Sequence, residues 1–154
     1  MAYDQLRLHN QVCFRLYTAS RLITQAYDPY LKPLGITYTQ YLVLMVLWEE
    51  GELPVNTIGQ RLHLGISTTS PLIKRMEKLG LVSRRACPSD KRQQIVFLTR
   101  EGRDMEARAA SIPACLVGDI ARCGVSEDSL AALAPILDEL IDKLPLSITD
   151  TDNN

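Results

Sequence analysis

Apolar residues along the chain recur at helical spacing, give way to two short strand-like runs, and return to helical spacing. A first helix is predicted over residues 6–31, with Val12, Leu16, Ala19, Ile23, Ala26 and Tyr30 on one stripe. Pro29, Pro33 and Gly35 limit its end. The next helix, Tyr38–Glu50, opens on Thr37 with Gln40 three residues on, a capping-box spacing. It is apolar nearly all round from Tyr41 to Trp48, which predicts a central buried helix. A short helix over Val55–Leu62 points Val55, Ile58 and Leu62 inward, and His63 to Ile66 form a turn. Ser67 is the expected N-cap of a helix over 68–79 whose inner stripe is Leu72, Ile73, Met76 and Leu79, with Gly80 closing it. Strands follow at Val82–Ala86 and 93–98, joined by Pro88, Ser89, Asp90, Lys91 and Arg92. Thr99 caps a helix running to about 112, which Pro113 kinks or restarts and which continues to about 122. After Gly124, Ser126 with Glu127 and Asp128 opens the last helix, with Leu130, Leu133, Ile136, Leu137, Leu140, Ile141 and Leu144 as its stripe. Pro145 ends it, and the polar tail 146–154 is expected to be disordered.

A short helix, a turn, a second helix and a two-stranded ribbon, in that order, is the plan of a winged helix-turn-helix, which sets its second helix in the DNA major groove. The fold class is mainly α with a small β-wing. The winged-helix DNA-binding region covers 36–99, flanked by helices at 6–34 and 100–145. Those flanking stripes exceed what the small central core can cover, so a symmetric homodimer is expected to bury them. Charge sharpens the reading. The net charge is only −1, but residues 74–92 hold seven cations against Glu77 and Asp90, a net +5. Residues 126–154 hold seven acids against Lys143, a net −6. The basic stretch therefore coincides with the helix and wing that would neutralise phosphates. Ser67, Thr68, Ser70 and Lys74 are the candidate major-groove contacts. Asp90 is placed to brace Arg92, with Arg92 and Lys91 at the minor groove or phosphate.

With 46% hydrophobic and 23% charged residues, the composition is that of a folded domain. The longest apolar run, at 41–48, is too short to span a bilayer. The N-terminus lacks the basic and apolar regions of a secretory signal, so a cytoplasmic protein is expected. The cysteines, Cys13, Cys87, Cys115 and Cys123, form no C-x-x-C pair, and His9 and His63 are not at ligand spacing. No metal or cofactor is expected. Without a further argument, each cysteine reads as a small buried hydrophobe.

A resemblance supplies that argument. The order of elements, the Asp90-Lys91-Arg92 tip and the exit Leu98-Thr99-Arg100-Glu101-Gly102 resemble the MarR family of winged-helix regulators. The string from Asn10 to Arg21 (NQVCFRLYTASR), Tyr27, the string from Leu34 to Tyr41 (LGITYTQY) and Leu47-Trp48-Glu49 are similar to its organic hydroperoxide resistance, or OhrR, branch. The resemblance covers residues 8–112. It implies a repressor that leaves double-stranded, pseudo-palindromic operator DNA when an organic hydroperoxide oxidises an N-terminal cysteine. Cys13 stands at that cysteine's place, and Tyr27 and Tyr38 at the tyrosines that hydrogen-bond the thiol. Thiolate is the reactive form, and oxidation by peroxide gives a sulfenic acid that condenses with a second thiol. Phe14 would favour an organic peroxide over hydrogen peroxide. Within the family the second thiol is either a small molecule or a cysteine of the partner's C-terminal helices. Here Cys123 is the candidate and Cys115 the alternative, while Cys87 lies on the wing without a role. The chain departs from the family in its recognition segment, which often reads Asp-Ser-Gly-Thr-Leu-Thr-Pro and here reads Gly65-Ile66-Ser67-Thr68-Thr69-Ser70-Pro71, so the operator sequence does not carry over.

Two other functions compete. One is a regulator answering a small phenolic or anionic ligand without redox chemistry. The other is a thiol peroxidase, which lacks support: there is no peroxidatic Pro/Thr–Cys loop, and a basic wing would have no use in it.

Overall fold

The computed structural model describes residues 3–144. The chain falls into two units with the boundary between Tyr38 and Thr39, and each is described by itself. The expected disordered tail at 146–154 and the stop at Pro145 lie outside the described residues.

In the first unit, the single helix expected over 6–31 is several pieces. Two 3-10 turns, Asp4–Leu6 and Leu8–Asn10, precede α1, Val12–Ala26; a short α2, Asp28–Leu31, and a third 3-10 turn, Lys32–Leu34, follow. The cause is competition for backbone carbonyls by polar side chains. Asn10 Nδ2 donates to the Asp4 carbonyl at 2.8 Å, Gln11 Nε2 donates to that of Gln5 at 2.5 Å, and Arg15 donates to those of Gln11 (3.2 Å) and His9. Gln11 is extended, so α1 starts only at Val12. Pro29 sits in the first turn of α2, where its missing N–H costs nothing. Gly35, at φ +70°, makes the left-handed break. Leu31 and Ile36 are buried. The stripe read on α1 is not: none of its residues is buried within the chain.

The second unit carries the core. Helix α3, Tyr38–Glu50, buries Gln40, Tyr41, Val43, Leu44, Val46 and Leu47, as its all-round apolarity predicts. α4, Val55–Leu62, has the expected bounds, and His63 at φ +54° turns the chain toward α5, Ile66–Lys78. The N-cap of α5 is Gly65, not Ser67. Gly65 is extended, and its carbonyl already accepts from the Thr69 N–H and hydroxyl, both at 2.9 Å, so Ser67 lies inside the helix. A Cβ on Gly59 of α4 would come within 2.9 Å of the Leu64 carbonyl and of the Thr69 hydroxyl, which is why the two helices can cross so closely. Leu72, Ile73 and Met76 are buried, but Leu79 is 50% exposed. The helix ends before it: Gly80 at φ +75° donates to the Glu77 carbonyl and Leu81 to that of Met76, a Schellman closure that turns Leu81 inward in its stead.

The wing is a three-stranded antiparallel sheet in the order β1-β3-β2. β2 is Val82–Ala86 and β3 is Gln94–Leu98; β1, Leu53–Pro54, escapes a pattern search because two residues show no alternation. Arg84 stands opposite Val96 and Arg85 opposite Ile95, while Leu53 of β1 pairs with Val96 from the other side. Thr99 ends the ribbon. Its hydroxyl accepts from the Gly102 N–H at 3.2 Å, capping α6, Arg100–Ala109, and donates to the Gly80 carbonyl at 2.6 Å. Gly102 touches the same junction: a Cβ there would lie 2.1 Å from the Leu81 carbonyl oxygen, so only glycine fits. The helix expected through 122 breaks at Ala110 and Ser111, and Pro113 opens α7, Ile112–Arg122, within its first turn. Ser126 caps α8, Glu127–Lys143, accepting from the Ser129 N–H at 3.1 Å. No residue of α8 is buried.

Candidate DNA interface and thiol site

Helix α5 presents one face to the core and the opposite one outward. Thr69, Leu72, Ile73 and Met76 face in; Ser67, Thr68, Pro71, Lys74, Arg75 and Lys78 face out. Of the residues read as groove contacts, Ser67, Thr68 and Lys74 share that outer face. Ser70 is half-buried and lines a recess of about 220 Å³ shared with Arg84 and Arg92 of the wing. Arg75 was missed in the sequence, although its spacing from Thr68 and Pro71 is helical and marks the same face.

At the wing tip, Asp90 accepts from the Arg92 backbone N–H at 3.0 Å and from Arg92 Nε at 3.2 Å, so the carboxylate both shapes the turn and braces the guanidinium. The Arg92 side chain is 92% exposed. Lys91 is exposed beside it. The structure also revises the charge count. Arg84 is bound by Glu77 through 2.9 and 3.1 Å contacts, and Arg85 by Glu52 through 2.6 and 2.7 Å contacts. Lys74, Arg75, Lys78 and Lys91 have no ion pair among the described residues. The basic patch is therefore narrower than the run of seven cations suggests.

None of the four cysteines is buried, contrary to the default expectation, and none is in a disulfide. Cys13 is exposed on the second residue of α1. In that first turn the backbone N–H groups lack intrahelical acceptors and negative charge is favoured. Tyr27 and Tyr38 are brought together, with ring centroids 4.8 Å apart and planes tilted by 44°. Burial raises the Tyr38 pKa above its ordinary 10.0, so its hydroxyl is a proton donor at neutral pH. Cys13 does not join them within one chain. Tyr27 caps the C-terminal end of α1, so the helix separates the two residues by about 20 Å at 1.5 Å per residue. Cys123 caps the C-terminus of α7, exposed, and Cys115 is exposed one turn into the same helix. Cys87, set aside in the sequence, has a defined environment: a hydrogen bond with the Ser89 hydroxyl at 3.2 Å and the backbone N–H groups of Ser89 and Asp90 lower its pKa.

A cleft of about 400 Å³ lies between α3, α6 and the start of α7, walled by Tyr41, Met45 and Trp48 with Glu49 and Glu106. Trp48 Nε1 donates to the Gly102 carbonyl at 2.9 Å, tying α3 to α6. Among the described residues no cluster could hold a metal ion, and no helix is long and apolar enough to cross a membrane.

A helix-turn-helix with an outward cationic face, continued by a three-stranded wing, defines a winged-helix protein. The model of the MarR family matches residues 36–93. An organic hydroperoxide resistance transcriptional regulator of Bacillus subtilis (strain 168) is 39% identical over 142 residues, covering 92% of this chain and 97% of that one. The chain belongs to the MarR family of transcriptional regulators. Among solved structures, AbfR of Staphylococcus epidermidis is similar in two states. Reduced AbfR bound to DNA is 38% identical, with a TM-score of 0.72, covering 90% of this chain and 96% of that one. Disulfide-formed AbfR is 40% identical, with a TM-score of 0.65 and coverage of 91% and 96%.

Proposed function

We propose that the protein is a homodimeric, DNA-binding repressor that senses organic hydroperoxides through Cys13. The observation that carries the reading is the split of the thiol site. Cys13 and the Tyr27–Tyr38 pair lie at opposite ends of one helix, so a site holding all three must take the thiol from one chain and the tyrosines from another. The apolar residues left exposed on α1 and α8, among them Val12, Leu16, Ile136 and Leu140, support such a pairing. The relatives support the chemistry: one is a hydroperoxide resistance regulator, and another exists as a reduced, DNA-bound form and as a disulfide.

The Cys13 thiolate attacks one peroxide oxygen. A sulfur–oxygen bond forms as the oxygen–oxygen bond breaks, the sulfur loses two electrons, and the departing alkoxide takes a proton to leave as an alcohol. The protonated Tyr38 hydroxyl is a suitable donor to thiolate and, after it, to the sulfenate. The sulfenic acid condenses with a second thiol, losing water. Cys123 of the partner is the proposed second thiol, Cys115 and a small thiol the alternatives. In a two-fold dimer a change at this seam alters the separation of the two recognition helices, which a palindromic site requires to be about one DNA turn. Ser67, Thr68, Lys74 and Arg75 are the proposed groove-facing contacts, and Ser70, Lys91 and the Asp90-braced Arg92 those nearer the wing.

Of the alternative, a regulator answering a small phenolic or anionic ligand without redox chemistry, the anionic form has less support. The larger cleft carries Glu49 and Glu106, and the arginines beside the smaller recess are already held by Glu77 and Asp90. Operator binding measured before and after cumene hydroperoxide, for wild type and Cys13→Ser, tests the proposal. Wild type should release and Cys13→Ser should stay bound. Release by Cys13→Ser would move the sensor elsewhere.

A further inference from the structure

The wing is pinned by two consecutive arginines whose side chains leave β2 on opposite faces of the sheet. Arg84 reaches Glu77 on the recognition helix. Arg85 crosses the other face. Its guanidinium carbon lies 5.5 Å from the centroid of the Phe97 ring on β3, and its two terminal nitrogens bind the two Glu52 carboxylate oxygens at 2.6 and 2.7 Å. Glu52 immediately precedes β1, and the register that pairs Leu53 with Val96 brings it alongside Phe97. One side chain thus links β2, β3 and the residue that leads into β1. The edge strand needs it: β1 has two residues, and one is Pro54, which has no N–H for the ladder. Glu52 also follows directly on α3 and Gly51, so the clamp joins the end of the central helix to the wing. A bidentate arginine–carboxylate pair stacked on an aromatic ring fixes direction as well as distance, which a lysine could not do. The pairing with Arg85 holds the Glu52 carboxyl below its ordinary value.

We propose that Arg85, clamped over Phe97 by Glu52, is a positioning residue for DNA reading: it sets the wing relative to the recognition helix and is not itself a phosphate contact. The role rests on the DNA-binding function proposed above. It separates two arginines of one basic run by purpose, since Arg92 at the tip is braced by Asp90 with its side chain 92% exposed, where it can meet DNA, and Arg85 is occupied in holding the tip in place.

The test is a salt series of operator binding by the full-length reduced protein, comparing wild type, Arg85→Gln, Glu52→Gln, the double variant and the swapped pair Glu52→Arg with Arg85→Glu. Each single variant should weaken operator binding by about threefold to tenfold, and the double variant no more than either, because the two groups act as one unit. The swapped pair should recover most of the loss. The slope of log affinity against log salt should stay at the wild-type value in every variant. Amide exchange along the β1–β3 ladder should rise about tenfold in both single variants, with the melting temperature of the core unchanged. If Arg85→Gln lowers the salt slope by about one unit while Glu52→Gln leaves binding intact or strengthens it, Arg85 is a phosphate contact and the proposal is wrong. Additive losses in the double variant would equally overturn it. Failure of the underlying function looks different: the wild type itself would bind no duplex, and the positioning role would fall with it.

Discussion

Helices α3 and α8 are both rich in leucine, yet they meet opposite fates. α3 buries six residues inside its own chain, whereas α8, four residues longer, buries none, and neither does α1. The difference follows from how the apolar residues are distributed around each helix. α3 is apolar nearly all round and is buried within its own chain, with Trp48 tied to the Gly102 carbonyl of α6. α1 and α8 are striped, so each offers one apolar face, and residues such as Val12 at 74% and Ile136 at 58% exposure are left largely uncovered by their own chain. A hydrophobic stripe states that a face will be buried; it does not state by which chain.

The sharpest way to break this contrast is to charge the α8 stripe. Ile136→Glu with Leu140→Glu alters side chains one helical turn apart, and in a two-fold dimer each change counts twice. For the proposed dimer the expected cost to association is about 6 kcal/mol or more, enough to convert it to single chains. Sedimentation velocity should show the mass halve and operator binding fall at least about 100-fold. Unchanged sedimentation would place the stripe outside any interface. Next in size is the buried counterpart. Leu44, fully enclosed, should cost about 2–5 kcal/mol as Leu44→Ala, and by the same amount in the dimer and in the charged α8 variant. A cost that vanished on dissociation would mean that α3 also depends on the second chain. The smallest effect is a titration. Burial raises the Tyr38 pKa above 10.0, so the folded protein holds that proton more tightly than the unfolded chain. Its stability contribution is present below pH 10 and is lost as pH rises through the raised value. Absorbance at 295 nm should show a late-ionising tyrosine component that decreases in Tyr38→Phe, and the urea midpoint should fall over the same alkaline range.

Much of the fold was legible because it rests on local rules. Val55–Leu62 and Val82–Ala86 came out with the observed bounds, since a period of about 3.6 gives way cleanly to strand-like runs between strong breakers. Thr99 and Ser126 act as N-caps because a hydroxyl one residue before a helix can accept one of its free N–H groups. Where a side chain found a competing partner, the reading slipped. Asn10, Gln11 and Arg15 bind carbonyls upstream and delay α1 by six residues, and Gly65 displaces Ser67 as cap because its carbonyl is committed to Thr69. β1 was invisible because its evidence lies wholly in its partner, β3.

The candidate site divides along the same line. Residue type and spacing by themselves singled out the hydroxyl and lysine positions of α5 and the Asp90–Arg92 turn, because each is a short-range feature, whereas Cys13, Tyr27 and Tyr38 were singled out only by the resemblance of the strings around them. Only the tertiary structure set Tyr27 against Tyr38, separated them from Cys13 by the length of α1, and sorted a run of seven cations into those held by Glu77, Glu52 and Asp90 and those left to solvent. The physical reason is that charge and chemistry belong to residues one at a time, whereas the availability of a group depends on what the folded chain has already placed against it.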